Sequence, residues 1–295
     1  MKRRTLLQWG ALAATGEAAA QPGPSTRAIP SSGEAIPRVG LGTWITFNVG
    51  NDPPARAHCA QVMRAFFEAG GRLVDSSPMY GSSQGVVGDG LRALEAQQRV
   101  FSADKVWTAS DGAAQVETSR GLWQVPRFDL LQVHNLLAWE KQLPLLQKMK
   151  DEGRVRYVGI TTSEGRRHRE FEQILRTRRL DFAQFTYNLL DREAEQRLLP
   201  AAAERGVAVL VNRPFQEGDL LRRLERHPLP PWSGEIACTS WAQFALKFVI
   251  SHPAVTCAIP ATRRIDHVRE NMRAAQGVLP DGATRQRMAA YVARL

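Results

Sequence analysis

Leu73-Val74-Asp75-Ser76-Ser77-Pro78-Met79-Tyr80-Gly81 is the stretch on which the reading of this chain turns. An apolar lead-in after Gly70-Gly71 predicts a short buried strand that ends on a carboxylate. A loop marked by Pro78 and Gly81 then carries a tyrosine five residues beyond that carboxylate. A carboxylate at the C-terminal end of a strand, with a phenol on the next loop, is where a parallel α/β barrel gathers its chemistry. An Asp75 that caps the following turn and a Tyr80 that packs on the loop would account for the same nine residues. The rest of the chain separates the two readings.

Working outward, short apolar runs alternate with helical patterns. Strands are expected at Gly40–Trp44, Leu73–Asp75, Val100–Lys105, Leu130–His134, Val155–Ile160, Phe182–Thr186, Val207–Val211 and Val255–Ile259. Helices are expected around Ala57–Phe67, Val86–Leu94, Leu143–Asp151, Phe171–Arg176, up to Arg205, Trp241–Ile250, Ile265–Ala275 and Thr284–Ala293. Strands of four to six apolar residues between helices imply a parallel sheet buried on both faces. Eight such units in about 270 residues predict a single-domain (β/α)8 TIM barrel of the α/β class, over residues 26–295. A small hairpin signal, Arg27–Pro37, precedes it. No G-x-G-x-x-G follows a strand and opens a helix, which argues against a Rossmann fold.

The chain has 295 residues and 43% hydrophobic content, enough for a full core. Its net charge is +10, but the arginines are spread along the chain with no nucleic-acid-binding motif, so a nucleic-acid partner is not expected. Compositional bias plus some anion-binding sites accounts for the excess. Cys59, Cys238 and Cys257 form no C-x-x-C, and their odd number forbids complete pairing, so neither a disulfide framework nor a metal site is expected. At the start, Lys2-Arg3-Arg4 precedes a modest apolar stretch, and Ala18-Ala19-Ala20 offers a small-residue cleavage site. Residues 1–25 are read as a twin-arginine-type export signal that engages the export machinery and directs the protein to the periplasm. The alternative is a disordered cytoplasmic tail that happens to hold two arginines.

Asp75, Tyr80, Lys105, His134 and Gln184 are polar groups at or just beyond strand ends, where a barrel points them into one mouth. Together with Gly40-Leu41-Gly42-Thr43-Trp44, Lys105-Val106-Trp107 and Asp129-Leu130-Leu131-Gln132-Val133-His134, the Asp75–Tyr80 stretch resembles the aldo-keto reductases in order and spacing. The resemblance implies a catalytic tetrad of Asp75, Tyr80, Lys105 and His134 and a nicotinamide cofactor, NADP(H) or else NAD(H). It implies hydride transfer between that cofactor and a small carbonyl or alcohol, with Tyr80 as general acid and base. The alternative is an auxiliary or regulatory barrel that holds the cofactor with little turnover.

The chemistry gives each residue type a reason. Hydride addition to a carbonyl creates an alkoxide that needs a proton as it forms. A free phenol, with a pKa of ~10, is a reluctant acid–base group at neutral pH. An adjacent ammonium favours the phenolate, so Lys105 is expected to lower the pKa of Tyr80, with Asp75 holding Lys105 charged. His134, as neutral imidazole, would hydrogen-bond the carbonyl oxygen.

The resemblance also implies a set of cofactor contacts, with departures. Gln184 matches a nicotinamide-amide contact, and Thr161-Thr162 stand where Ser-Asn is usual. Asn212 replaces an aromatic that stacks on the nicotinamide, and Arg213 would face the pyrophosphate. Thr262, Arg263 and Arg264 follow Ala261, which replaces a lysine, so the two arginines are the candidates for a 2′-phosphate, the alternative being a solvated helix N-terminus. Asn271 matches an adenine contact. Trp44 and Trp107 match aromatics of the substrate pocket, although both could equally pack as core.

Overall fold

From Leu41 onward the strands and helices alternate as the pattern predicts. The computed structural model describes residues 23–295, so the twin-arginine stretch and Ala18-Ala19-Ala20 lie outside the described residues. Strands β1 (Thr26–Ala28) and β2 (Ala35–Pro37) pair antiparallel as the expected hairpin. Eight parallel strands follow: β3 (Leu41–Gly42), β4 (Leu73–Asp75), β5 (Phe101–Val106), β6 (Phe128–Val133), β7 (Val155–Thr161), β8 (Phe182–Thr186), β9 (Ala208–Asn212) and β10 (Cys257–Ala258). Each pairs with the next in chain order. Parallel bridges Val39–Ala258 and Gly42–Ala261 join the two ends into a closed barrel. Only glycine fits at this seam, since a Cβ on Gly42 would stand 2.6 Å from the Ile259 carbonyl oxygen.

Ten helices surround the strands: α1 (Pro53–Glu68), α2 (Ser83–Ala93), α3 (Gly112–Trp123), α4 (Trp139–Asp151), α5 (His168–Thr177), α6 (Leu198–Arg205), α7 (Asp219–Leu224), α8 (Trp241–Ile250), α9 (Ile265–Arg273) and α10 (Gly282–Val292) among the described residues. Helix α1 shows how the sequence sets their bounds. Asp52 accepts from Ala55 N at its N-terminus, and Pro53-Pro54 occupy the first turn, where no backbone donor is needed. Cys59, Val62, Met63 and Phe66 fall at helical spacing and are buried.

The two-residue period of the strands sorts the core into two layers. Leu73, Phe101, Leu130, Tyr157, Phe182 and Leu210 form the inner cluster, which Ile29 and Ile36 of the hairpin join. Val74, Val106, Leu131 and Val133 belong to the outer cluster against the helices. Glu34 in the hairpin turn accepts from Tyr157 Oη at 2.9 Å and pairs with Arg156, which also reaches Asp129 at 2.6 Å. Two residues beyond the apolar members of the inward columns stand Asp75, Lys105, Gln132 and Gln184, all buried. The apolar interior therefore gives way to polar groups at the C-terminal end of the strands.

Candidate active site

Asp75 is the last residue of β4, and Lys105 lies on the neighbouring β5. The chain leaves β4 into a single 3-10 turn, Pro78–Tyr80, which brings the Tyr80 phenol back over the strand ends. Ser77 caps that turn by accepting from Met79 N at 3.1 Å, and Pro78 occupies its first position. Gly81 then turns away at φ 61°, against the Asn48 side chain, where a Cβ would collide. His134 starts the turn directly after β6.

These groups meet. Lys105 Nζ donates to Asp75 Oδ2 at 2.6 Å and to the Ser76 carbonyl at 2.7 Å, with both side chains essentially excluded from solvent. Gln184 Nε2 donates to the other carboxylate oxygen at 2.9 Å. The ammonium stands 5.0 Å from the centre of the Tyr80 ring. Tyr80 meets His134 edge-on, with ring centres 5.7 Å apart, and Trp44 lies 4.9 Å from the Tyr80 ring on another side.

Burial decides the charge states. It pushes the Tyr80 phenol up to about 12, against the downward pull of Lys105. The expectation that Lys105 lowers the pKa of Tyr80 is right in direction for that one interaction and wrong in sum, because desolvation outweighs it. For Lys105 itself burial acts downward, but Asp75 and Tyr80 outweigh it and the net shift is upward. His134 is held well below the usual imidazole range by burial and then by Lys105. At neutral pH the cluster therefore carries a protonated phenol, an ammonium and a neutral imidazole.

A cavity of ≈ 460 Å³ opens over the cluster. It runs from Trp44, Tyr80 and His134 past Thr161, Gln184 and Asn212 to Thr262 and Asn271. Asn212 donates to the Thr162 carbonyl at 2.9 Å and accepts from Thr186 Oγ1 at 2.7 Å, so it ties together the C-terminal ends of β7, β8 and β9. Thr162 itself is buried outside the lining, its hydroxyl given to the Arg166 carbonyl. Arg213 lines the cavity, but its guanidinium is paired with Glu164 at 2.8 Å and with Glu217. Trp107, 42% exposed, stands outside the cavity, as do Arg263 and Arg264. Arg264 is turned to Asp266 at 2.5 Å. Ser77, Glu164, Arg166 and His267 were not read from the sequence. Only Ser77 left a signal there, as a hydroxyl inside the motif that carries Asp75 and Tyr80.

Residues 38–286 match the sequence profile of the Aldo/keto reductase family. The chain belongs to that family. The match takes in this aldo/keto reductase's Asp75, Tyr80, Lys105 and His134 and all eight barrel strands from the closing bridge at Val39, and ends within α10. Methylglyoxal reductase YeaE of Escherichia coli (strain K12) is 29% identical over 246 residues, which cover 80% of this chain and 84% of that protein. The NADH-specific methylglyoxal reductase of the same organism is 26% identical over 246 residues, covering 70% and 72%. Among solved structures, an aldo/keto reductase from Klebsiella pneumoniae in complex with NADP and acetate superposes with a TM-score of 0.74 at 26% identity, over 88% of this chain and 92% of that one.

Proposed function

We propose that this aldo/keto reductase reduces a small aldehyde or ketone, with methylglyoxal the leading candidate, using NADPH or NADH, and that Tyr80 supplies the proton. The observation that carries the reading is the buried Lys105–Asp75 pair, 2.6 Å apart, beneath a Tyr80 that shares one cavity with His134. The substrate class is taken from the relatives that act on methylglyoxal.

The lining fits a nicotinamide dinucleotide. Gln184 spends Nε2 on Asp75, and its Oε1 takes no protein partner among the described residues, which leaves an acceptor for a carboxamide. Arg166 and Arg213 line the cavity with their charges already held, both by Glu164 and Arg213 also by Glu217, so a pyrophosphate would have to take them from these carboxylates; Thr262 and Asn271 offer neutral polar groups. Reduced nicotinamide, when bound, supplies hydride to the carbonyl carbon. The chain's own residues manage the oxygen. His134 and the Tyr80 hydroxyl meet it as negative charge builds, and Tyr80 gives up its proton to form the alcohol. Lys105 then lies beside the phenolate and stabilises it until solvent returns the proton. A phenol pushed up to about 12 stays protonated at neutral pH, and so holds the proton that the forming alkoxide takes.

The test is loss of NADPH or NADH absorbance when purified protein meets methylglyoxal or a nitrobenzaldehyde. Turnover supports the reading. Cofactor that binds without turnover on either carbonyl would instead favour the auxiliary-subunit alternative.

A further inference from the structure

His134 has two ring nitrogens, and only one can carry the hydrogen while the imidazole is neutral. Nδ1 lies 2.8 Å from Ser77 Oγ. The ring lines the cavity, and no hydrogen bond to Nε2 is made among the described residues. Which tautomer is present follows from what the Ser77 hydroxyl can do. That oxygen already accepts from Met79 N at 3.1 Å in capping the turn before Tyr80. Its single hydrogen has no other acceptor among the described residues, and Ser77 is fully buried.

We propose that the Ser77 hydroxyl donates to His134 Nδ1 and so fixes the tautomer whose Nε2–H faces the substrate oxygen. The reverse arrangement, Nδ1–H donating to Ser77, leaves a buried hydroxyl hydrogen without an acceptor and points a lone pair from Nε2 at the oxygen that gathers negative charge. One serine thus serves two purposes. Its lone pair shapes the turn that positions Tyr80, and its hydrogen orients the donor on His134. Ser77 is a positioning residue, since it reaches the reacting atoms only through His134. Its effect on turnover rests on the carbonyl-reductase reading above; its effect on the tautomer does not.

The experiment is a histidine ring ¹⁵N–¹H correlation spectrum at neutral pH of the unaltered protein, with His134 assigned through His134→Gln, alongside Ser77→Ala and Ser77→Thr. The expected spectrum of the unaltered protein shows hydrogen on Nε2. Ser77→Ala is expected to give a mixture of tautomers and a kcat lower by roughly tenfold, the equilibrium worth of one net hydrogen bond, with cofactor affinity unchanged. Ser77→Thr, which restores the hydroxyl on an extended backbone, is expected to recover both. Hydrogen on Nδ1 in the unaltered protein overturns the proposal, and so does a Ser77→Ala variant with unchanged tautomer and kcat. Should Ser77→Ala fail to fold for want of its cap, the unaltered protein and Ser77→Thr decide by the same spectrum. Protein with hydrogen on Nε2 that never consumes reduced nicotinamide sinks the carbonyl-reductase reading and leaves the Ser77 assignment supported.

Discussion

Gln184 and Asp75 stand 109 positions apart in the chain, yet Gln184 Nε2 donates to Asp75 Oδ1 at 2.9 Å across the barrel mouth. Lys105 fills the other oxygen, so both oxygens of the buried Asp75 carboxylate have partners. A buried ion pair contributes little net stability, but removing one partner strands the other charge. Lys105→Met is therefore expected to destabilise the fold by about 3–5 kcal/mol in urea unfolding. Adding Asp75→Asn should recover most of that loss. A double variant no more stable than Lys105→Met contradicts this view of the pair.

Asp104, next to Lys105 on β5, points the opposite way, into the layer between strands and helices. It is fully buried, accepts from Gln84 Nε2 at 2.6 Å and from Lys105 N at 2.8 Å, and burial pushes its carboxyl up to about 7. Between its ordinary range near 4 and about 7, the folded state holds a proton that the unfolded state has lost. Its contribution to stability therefore falls as pH rises through that window. His134 and His252, both depressed by burial, act in the opposite sense: their contribution is lost as pH falls below the ordinary imidazole range, for His252 toward about 4. The difference between the unaltered protein and Asp104→Asn cancels the histidines. Asp104→Asn is expected to gain relative stability steadily from pH 4 to 7 in denaturant titrations. A difference that stays flat with pH means that Asp104 ionises normally.

The barrel was legible because its strands repeat one inward column after another, apolar residues followed by a polar one at the mouth. Leu73 before Asp75, Ala103 before Lys105 and Phe182 before Gln184 all follow that rule. Helix α3 went unread because its buried face is only Gly112, Val116, Ser119 and Trp123, too few apolar residues to set a period. Helix α7 is six residues long, too short for an apolar period to show in the sequence. Site residues on strands were easier to place than those on loops. Trp107, Arg263 and Arg264 sit beyond strand ends, and residue type alone does not say that their side chains turn away from the cavity. The Arg213 pairing was hidden for another reason. Its partner Glu164 comes from a loop 49 positions earlier (213 − 164), and no local pattern links the two.

The position of the two arginines changes the expectation for cofactor preference. The sequence marks Arg263 and Arg264 as readers of a 2′-phosphate, but neither lines the cavity and Arg264 already holds Asp266 at an exposed site. Replacing both with alanine is expected to change the ratio of NADPH to NADH affinity by less than about threefold, in the range of an exposed ion pair. Titration of each nicotinamide by fluorescence measures it. A fall of tenfold or more would place the phosphate on these arginines after all.

We propose that residues 1–25 export the folded protein, as Lys2-Arg3-Arg4 and Ala18-Ala19-Ala20 suggest. Fractionation of bacterial cells that express the full chain is expected to place it in the periplasm. Arg3→Lys with Arg4→Lys should leave it in the cytoplasm. Cytoplasmic location of the unaltered chain removes the export reading without touching the chemistry.

Hydride transfer with Tyr80 as proton donor is tested most directly by a single-turnover reaction of the unaltered protein and of Tyr80→Phe, using nicotinamide deuterated at the transferring position and methylglyoxal. The expected product from the unaltered protein is an alcohol with deuterium on the former carbonyl carbon. Tyr80→Phe should bind the cofactor with unchanged affinity and react on the order of 10²–10⁴-fold more slowly. A product without deuterium, or a Tyr80→Phe variant as fast as the unaltered protein, contradicts the account.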